Sequence, residues 1–219
     1  EFLSPVTKKL FSLSGKEFSY FILSLLGGYP VGAKLLSESE IPKEKASFML
    51  NYCVNGGPAF IVSAVGLGML SSKEIGYVLL LSHILSAVIL CMALGPFMPV
   101  VTAESQKTSD INPIDNFILS TSKASETILS ICGFVILFSG INAYITRSPL
   151  KSISLLLEVT NAVTYTKNIY LISFLLGFSG VCIWFQVLSA AKGIKINFYL
   201  FILARVLQGA LSSLFTALF

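Results

Sequence analysis

Apolar and polar positions fall in long blocks, not at the short periods of a soluble helix or strand. Runs with no charge cover Phe18–Ala33, Ser47–Ser72, Ile128–Thr146 and Ile169–Ala191. Two more runs, Gly76–Val101 and Ile196–Phe219, carry only His83 and Arg205 respectively. A membrane crossing needs about 20 apolar residues at a rise of about 1.5 Å each. The pattern therefore predicts six spans. A seventh run, Ile153–Tyr165, is shorter and contains Glu158. It covers about 20 Å against a hydrocarbon core of about 30 Å, which predicts a half-helix or re-entrant segment.

Polar joints separate these runs. Ser37–Lys45 mixes acids and bases, with Pro42 suited to the first turn of the next helix. The longest joint, from about Gly95 to Lys123, opens on Gly95, Pro96 and Pro99 and marks the natural midpoint. The two sides of it echo one another. Tyr77, His83 and Leu85 keep the spacing of Tyr199, Arg205 and Leu207, and the string from Asn55 to Gly66 lies opposite that from Phe178 to Ser189. The expected fold is all-α and polytopic, with six to seven hydrophobic segments in two membrane repeats, 1–104 and 105–219. An odd number of crossings per half would make the repeats inverted.

Composition strengthens this reading. Of 219 residues, 54% are hydrophobic and 12% are charged, with mean hydropathy +0.82. Soluble domains carry about 25% charged residues. A disordered chain, a coiled coil and an ordinary cytosolic enzyme are excluded. The net charge of +4 is too mild and too scattered to argue for nucleic acid. The basic loops alternate, so their count along the chain leaves orientation undecided. Four scattered cysteines and a lone His83 offer no metal-ligand spacing. No nucleophile–base pair or carboxylate dyad is seen, so no enzyme activity and no cofactor are expected. The chain opens on Glu1, not methionine, which fits a chain trimmed at its N-terminus.

Four interruptions carry the candidate chemistry. Gly27-Gly28-Tyr29-Pro30-Val31-Gly32-Ala33-Lys34 breaks an apolar helix, since proline removes a donor and glycine weakens the helix. Freed N–H and C=O groups in lipid must face protein, water or a ligand. The string departs from a phosphate-binding P-loop, with Ala33 where its lysine would stand. Asn51 and Asn55 share a helix face beside the Gly56-Gly57-Pro58 break. Glu158, followed by Thr160 and Asn161, is an acid inside membrane-length apolar sequence, where it costs a few kcal/mol unless paired or hydrated. Ser179 and Gly180 loosen a fourth helix, followed by Gln186. Each interruption has a plainer reading: packing kinks, interhelical amide bonds, a snorkelling Lys34 or an acid at the interface. Arg205 is expected to face the interior with Glu158 as partner, and His83 to be a satisfied interhelical donor.

At Gly27-GYPVGAK, Asn55-GGPAF, Leu157-EVTN and Leu176-GFSG with Gln186, the sequence resembles the YlbJ-type sporulation integral membrane proteins. These sit in the wider nucleoside recognition, or Gate-domain, group. That group also holds the spore maturation membrane proteins and the membrane part of FeoB-type ferrous-iron transporters. Here Gly56-Gly57 stands where Ser-Gly more commonly precedes the proline. The resemblance implies a transporter-like scaffold with broken helices meeting at mid-membrane, in a bacterial mother-cell or forespore membrane. Two functions follow as expectations. One is a permease binding a small polar or charged solute, with Na⁺ or H⁺ coupling through Glu158. The other is a membrane scaffold or partner protein in spore formation. The expected partners are the lipid bilayer, a small polar solute or ion, and either further copies of the chain or a sporulation membrane partner.

Overall fold

A computed structural model describes residues 4–101, 112–147 and 151–219. Among these residues every regular element is helical. Four helical segments are long and apolar enough to cross a membrane: Lys73–Phe97, Pro113–Ile145, Ile169–Ala190 and Phe198–Thr216.

After the short α1 (Ser4–Phe11), α2 (Gly15–Gly27) starts on a capping box, in which Ser14 and Glu17 satisfy each other's backbone N–H. The chain breaks at Gly28–Pro30 and continues as α3 (Val31–Glu38). Lys16 at the start of α2 pairs with Glu40 just past α3. The two helices therefore form a hairpin that enters and leaves at one end, called here the near end. This corrects the expectation of a span over Phe18–Ala33. The 13 residues of α2 cover about 20 Å and cannot reach the far side of a core of about 30 Å.

The chain then re-enters through α4 (Lys43–Met49), held at the near end by Lys45 Nζ donating to Glu17 at 3.0 Å. An irregular stretch follows, and a π-wound helix over Ala59–Met69 carries the chain to the far end. There α5 (Lys73–Leu94), capped by Ser72, turns back. Its last turn reaches α1, with Gly95 pressed against the Phe11 carbonyl. Segment 47–72 thus runs from the near end to the far end as a broken helix, and α5 returns unbroken.

The second half opens on a long helix and then holds a hairpin, a broken helix and an unbroken one. The long α6 (Pro113–Ile145) passes Glu38, which accepts from Lys123 at 3.2 Å, and runs on toward the far end. It begins at Pro113, well before the Ile128 expected from hydropathy. From the far end come α7 (Ser154–Leu157), a break at Glu158 and α8 (Val159–Tyr165). Next, α9 (Ile169–Phe178), a break at Ser179 and α10 (Gly180–Ala190) return to the near end, where Ser47 meets the Lys195 carbonyl. Finally α11 (Phe198–Thr216) runs back out. Ser212 and Thr216 on α11 bond Ser173 on α9 at 2.8 and 2.7 Å. Gly177 and Gly209 bring the two backbones together, since a Cβ on Gly177 would lie 2.7 Å from Gly209.

The core is apolar and aromatic around the breaks. Trp184 touches Phe178, Phe198 and Phe201, and Phe21 meets Tyr52 edge-on. Outside, α6 exposes Ile118, Leu129, Ile136 and Tyr144, as a lipid-facing helix does.

Candidate functional site

The four breaks come together inside the bundle. The glycine at 28 takes φ +75°, and a Cβ there would sit 2.7 Å from the Gly57 amide nitrogen. Tyr29, whose peptide bond to Pro30 is cis, donates its hydroxyl to the Leu176 carbonyl at 2.6 Å, just before the Ser179 break. Gly180 takes φ +68° and faces the Leu156 and Leu157 carbonyls of the second hairpin. Breaks from the two halves thus touch across the centre.

Stretch 50–58 between α4 and the π-wound helix is clamped from behind. Arg205, fully buried on α11, donates to the Asn51 and Val54 carbonyls. These carbonyls lie in the irregular stretch after α4, where no helix ladder takes them up, so a strong donor suits them. The guanidinium also lies over the Phe201 ring at 5.6 Å. The expected Arg205–Glu158 pair does not form; backbone oxygens take the guanidinium instead. His83, fully buried on α5, accepts from the Gly56 amide through Nε2 at 3.0 Å. It is an acceptor, not the donor expected, and its Nδ1 has no partner among the described residues. Asn55 donates to the Tyr52 carbonyl at 2.9 Å and to Ser24 at 3.2 Å, and accepts from Gln208 at 2.9 Å. His83 and Arg205 therefore grip the same stretch of chain.

Glu158 occupies the second hairpin's break and is 5% exposed as a residue. One oxygen accepts from the Thr160 amide at 2.9 Å. The other accepts from the Asn161 amide at 2.7 Å and from the Thr160 hydroxyl. It serves as an N-terminal cap on α8, where negative charge meets the positive dipole end. It pairs with neither Lys34 nor Arg205. Lys34 lies 3.2 Å from Glu38.

Between these breaks lies a cavity of about 300 Å³. Of the residues singled out from sequence, Gly27, Gly28, Tyr29, Gly57, Glu158, Thr160 and Gln186 line it. Glu158 is the only ionisable acid or base on that wall apart from Tyr29 and Cys182. Pro30 and Lys34 line a neighbouring polar pocket of about 120 Å³ instead, which shares Ile131 and Gln186 with the cavity. Gly32 packs on the Cys53 carbonyl, while Asn55, Ser179 and Gly180 are buried behind the wall. Asn51 borders a separate pocket at the near end and donates to the Phe48 carbonyl at 2.7 Å. Pro58 starts the π-wound helix, and Asn161 contributes its amide to Glu158. Sequence reasoning missed the apolar wall: Leu26, Ala59, Phe60, Ile131, Val135 and Ile183. No polar signal marks these positions. Leu26, Ala59, Phe60 and Ile183 share one legible trait, closeness in sequence to the breaks; Ile131 and Val135, inside α6, lack even that.

Broken helices, a buried polar centre and a lipid-facing surface define an all-α, polytopic integral membrane protein. Within that class, the chain is similar to the sporulation integral membrane protein YlbJ of Bacillus subtilis (strain 168). The two are 23% identical over an alignment of 272 residues that takes in 99% of this chain and 67% of the relative. No family model matches the chain, and no solved structure matches it. It is an integral protein of a bacterial membrane, in contact with the lipid bilayer.

Proposed function

We propose that the chain is a permease for a small polar or charged solute, with the 300 Å³ cavity as its binding site. One observation carries this reading: an ionisable carboxylate, Glu158, lines a central cavity bordered by broken helices from both halves. A buried acid in a membrane interior is costly, and such residues mark solute and ion paths. Tyr29, Thr160 and Gln186 supply further hydrogen-bonding groups to the wall. The order hairpin, broken span, unbroken span occurs once from each end, and this supports reading the halves as inverted repeats that rock about a central site. Glu158 is the ion-coupling group in this scheme, and the protein is a carrier, not an enzyme.

Counter-flow uptake in proteoliposomes with a panel of nucleosides, metal ions and small ions tests the proposal. Saturable flux of at least one solute is expected, and Glu158→Gln is expected to abolish ion-coupled uptake while leaving expression intact. Unchanged uptake in Glu158→Gln removes that residue from the mechanism.

A second reading, a non-transporting scaffold for spore formation, draws on a specific observation. Arg205, His83, Asn55 and the Thr160–Asn161 amides satisfy much of the exposed backbone and carboxylate within the chain itself. The relative's name likewise speaks of sporulation and not of transport. No saturable flux for any member of the panel favours this reading.

A further inference from the structure

The sequence alone leaves the basic loops balanced, because it does not say which loops share an end of the bundle. The hairpins resolve this. Each one returns the chain to its starting end and so shifts the parity of every loop that follows. At the near end lie Lys8 and Lys9 on α1, Lys16 at the start of α2, Lys43 and Lys45 at the start of α4, and Lys192 and Lys195 after α10. Lys34 and Lys123 join them through their shared partner Glu38. The far end carries Lys73, Arg147 and Lys167. Among the described side chains the bases outside the membrane interior thus divide nine to three. Lysine and arginine in short loops concentrate on the cytoplasmic side of a membrane, whatever the acids do.

The pocket next to the Glu158 cavity lies toward the same end. Its wall includes Lys34, Ser130, Ser189 and Lys192, and it shares Ile131 and Gln186 with the cavity. We infer that the near end faces the cytoplasm, and that the pocket between Lys34 and Lys192 is the cytoplasmic mouth of the cavity. The orientation holds for a permease and a scaffold alike. Only the naming of a mouth rests on the permease proposal.

Thiol labelling in membrane vesicles tests both parts. Among the native cysteines only Cys132 is exposed, so Cys132→Ser supplies a quiet background. A membrane-impermeant maleimide is applied to inverted and right-side-out vesicles carrying Lys195→Cys or Lys167→Cys; both parent side chains are exposed. Lys195→Cys is expected to label in inverted vesicles and to lose labelling in right-side-out ones, with Lys167→Cys doing the reverse. Lys192→Cys and Lys73→Cys serve as a second pair should either variant fail to accumulate. The opposite pattern, labelling of both positions from one side, or labelling of each from both sides overturns the orientation. Ser189→Cys, exposed in the pocket, reports the mouth. Labelling in inverted vesicles is expected; protection there, with Lys195→Cys still labelled, overturns the mouth and leaves orientation and transport to be judged separately.

Discussion

Gly32→Ala probes the closest approach among the broken helices. Gly32 lies on α3 just past Pro30, and a Cβ there would stand 1.9 Å from the Cys53 carbonyl oxygen and 2.8 Å from the Ser24 Cβ. Ordinary contact starts at 3.4 Å, so the hairpin and the 50–58 stretch would have to part by about 1.5 Å. Neither neighbour yields freely. The carbonyl belongs to backbone that Arg205 grips on either side, and Ser24 is fully buried. Helix preference acts the other way, favouring alanine over glycine by about 0.8–1.0 kcal/mol. Overpacking costs about 1–3 kcal/mol where neighbours can shift, and a clash with held backbone belongs at or above the top of that range. The net expectation is a loss of about 2 kcal/mol or more, or about 4–8 °C in Tm for a domain of this size. Gly133→Ala is the control, because nothing lies within 4 Å of a Cβ at that position on α6. Thermal unfolding of both variants in one detergent is the assay. Gly32→Ala as stable as the parent, or Gly133→Ala equally damaged, refutes the close approach.

Other perturbations separate the parts of the centre. Ser179 holds φ +74° without being glycine, and its hydroxyl makes only a long bond to the Gly177 carbonyl at 3.4 Å beside a contact with the Tyr29 hydroxyl. Ser179→Gly is expected to raise stability by about 1 kcal/mol in the same melting assay, since the left-handed strain of a non-glycine residue is relieved. Arg205→Met leaves the Asn51 and Val54 carbonyls without their donor, at about 1–3 kcal/mol each; removal of a buried charge offsets part of this. A fall in Tm with faster backbone hydrogen exchange over 50–58 is expected, and unchanged exchange would exclude the clamp. At the near end, burial pushes the Glu17 carboxyl up, but the Ser14 amide and the Lys45 ammonium outweigh it and hold the group below its ordinary value of 4.5. Its contribution to stability is therefore full above that value and is lost as pH falls through the lowered one. Acid titration of Tm should be shallower in Glu17→Gln, and an identical slope would show that Glu17 contributes nothing there.

The breaks were legible in the sequence because glycine, proline and a lone membrane acid are punctuation with a physical cost. Gly28–Pro30, Gly56–Pro58, Glu158 and Ser179 all stand where helices stop. The short Ile153–Tyr165 run reads by length alone as a half-helix or re-entrant segment, and the structure makes it two short helices broken at Glu158. The first hairpin was not legible. Its apolar run is nearly as long as a span, and only the pairing of Lys16 with Glu40 reveals that the chain turns back. Arg205 was assigned the wrong partner because charge invites a search for opposite charge, whereas its acceptors are carbonyls that carry no mark in the sequence. The apolar half of the cavity wall stayed hidden for the same reason: Ile131 and Val135 reach it from α6, far from any break in sequence. Orientation followed only once the ends of the helices had been sorted.

The most direct test of the central cavity is to fill it. Ala59 borders the space beside Gly57 and Phe60, at the start of the π-wound helix, and is not part of the polar centre. Counter-flow by Ala59→Trp in proteoliposomes, beside the parent and with a melting curve for each, measures whether solute passes there. Lost saturable flux in a protein that still folds is the predicted result. Flux equal to that of the parent, with the indole in place, would contradict the cavity as the solute site.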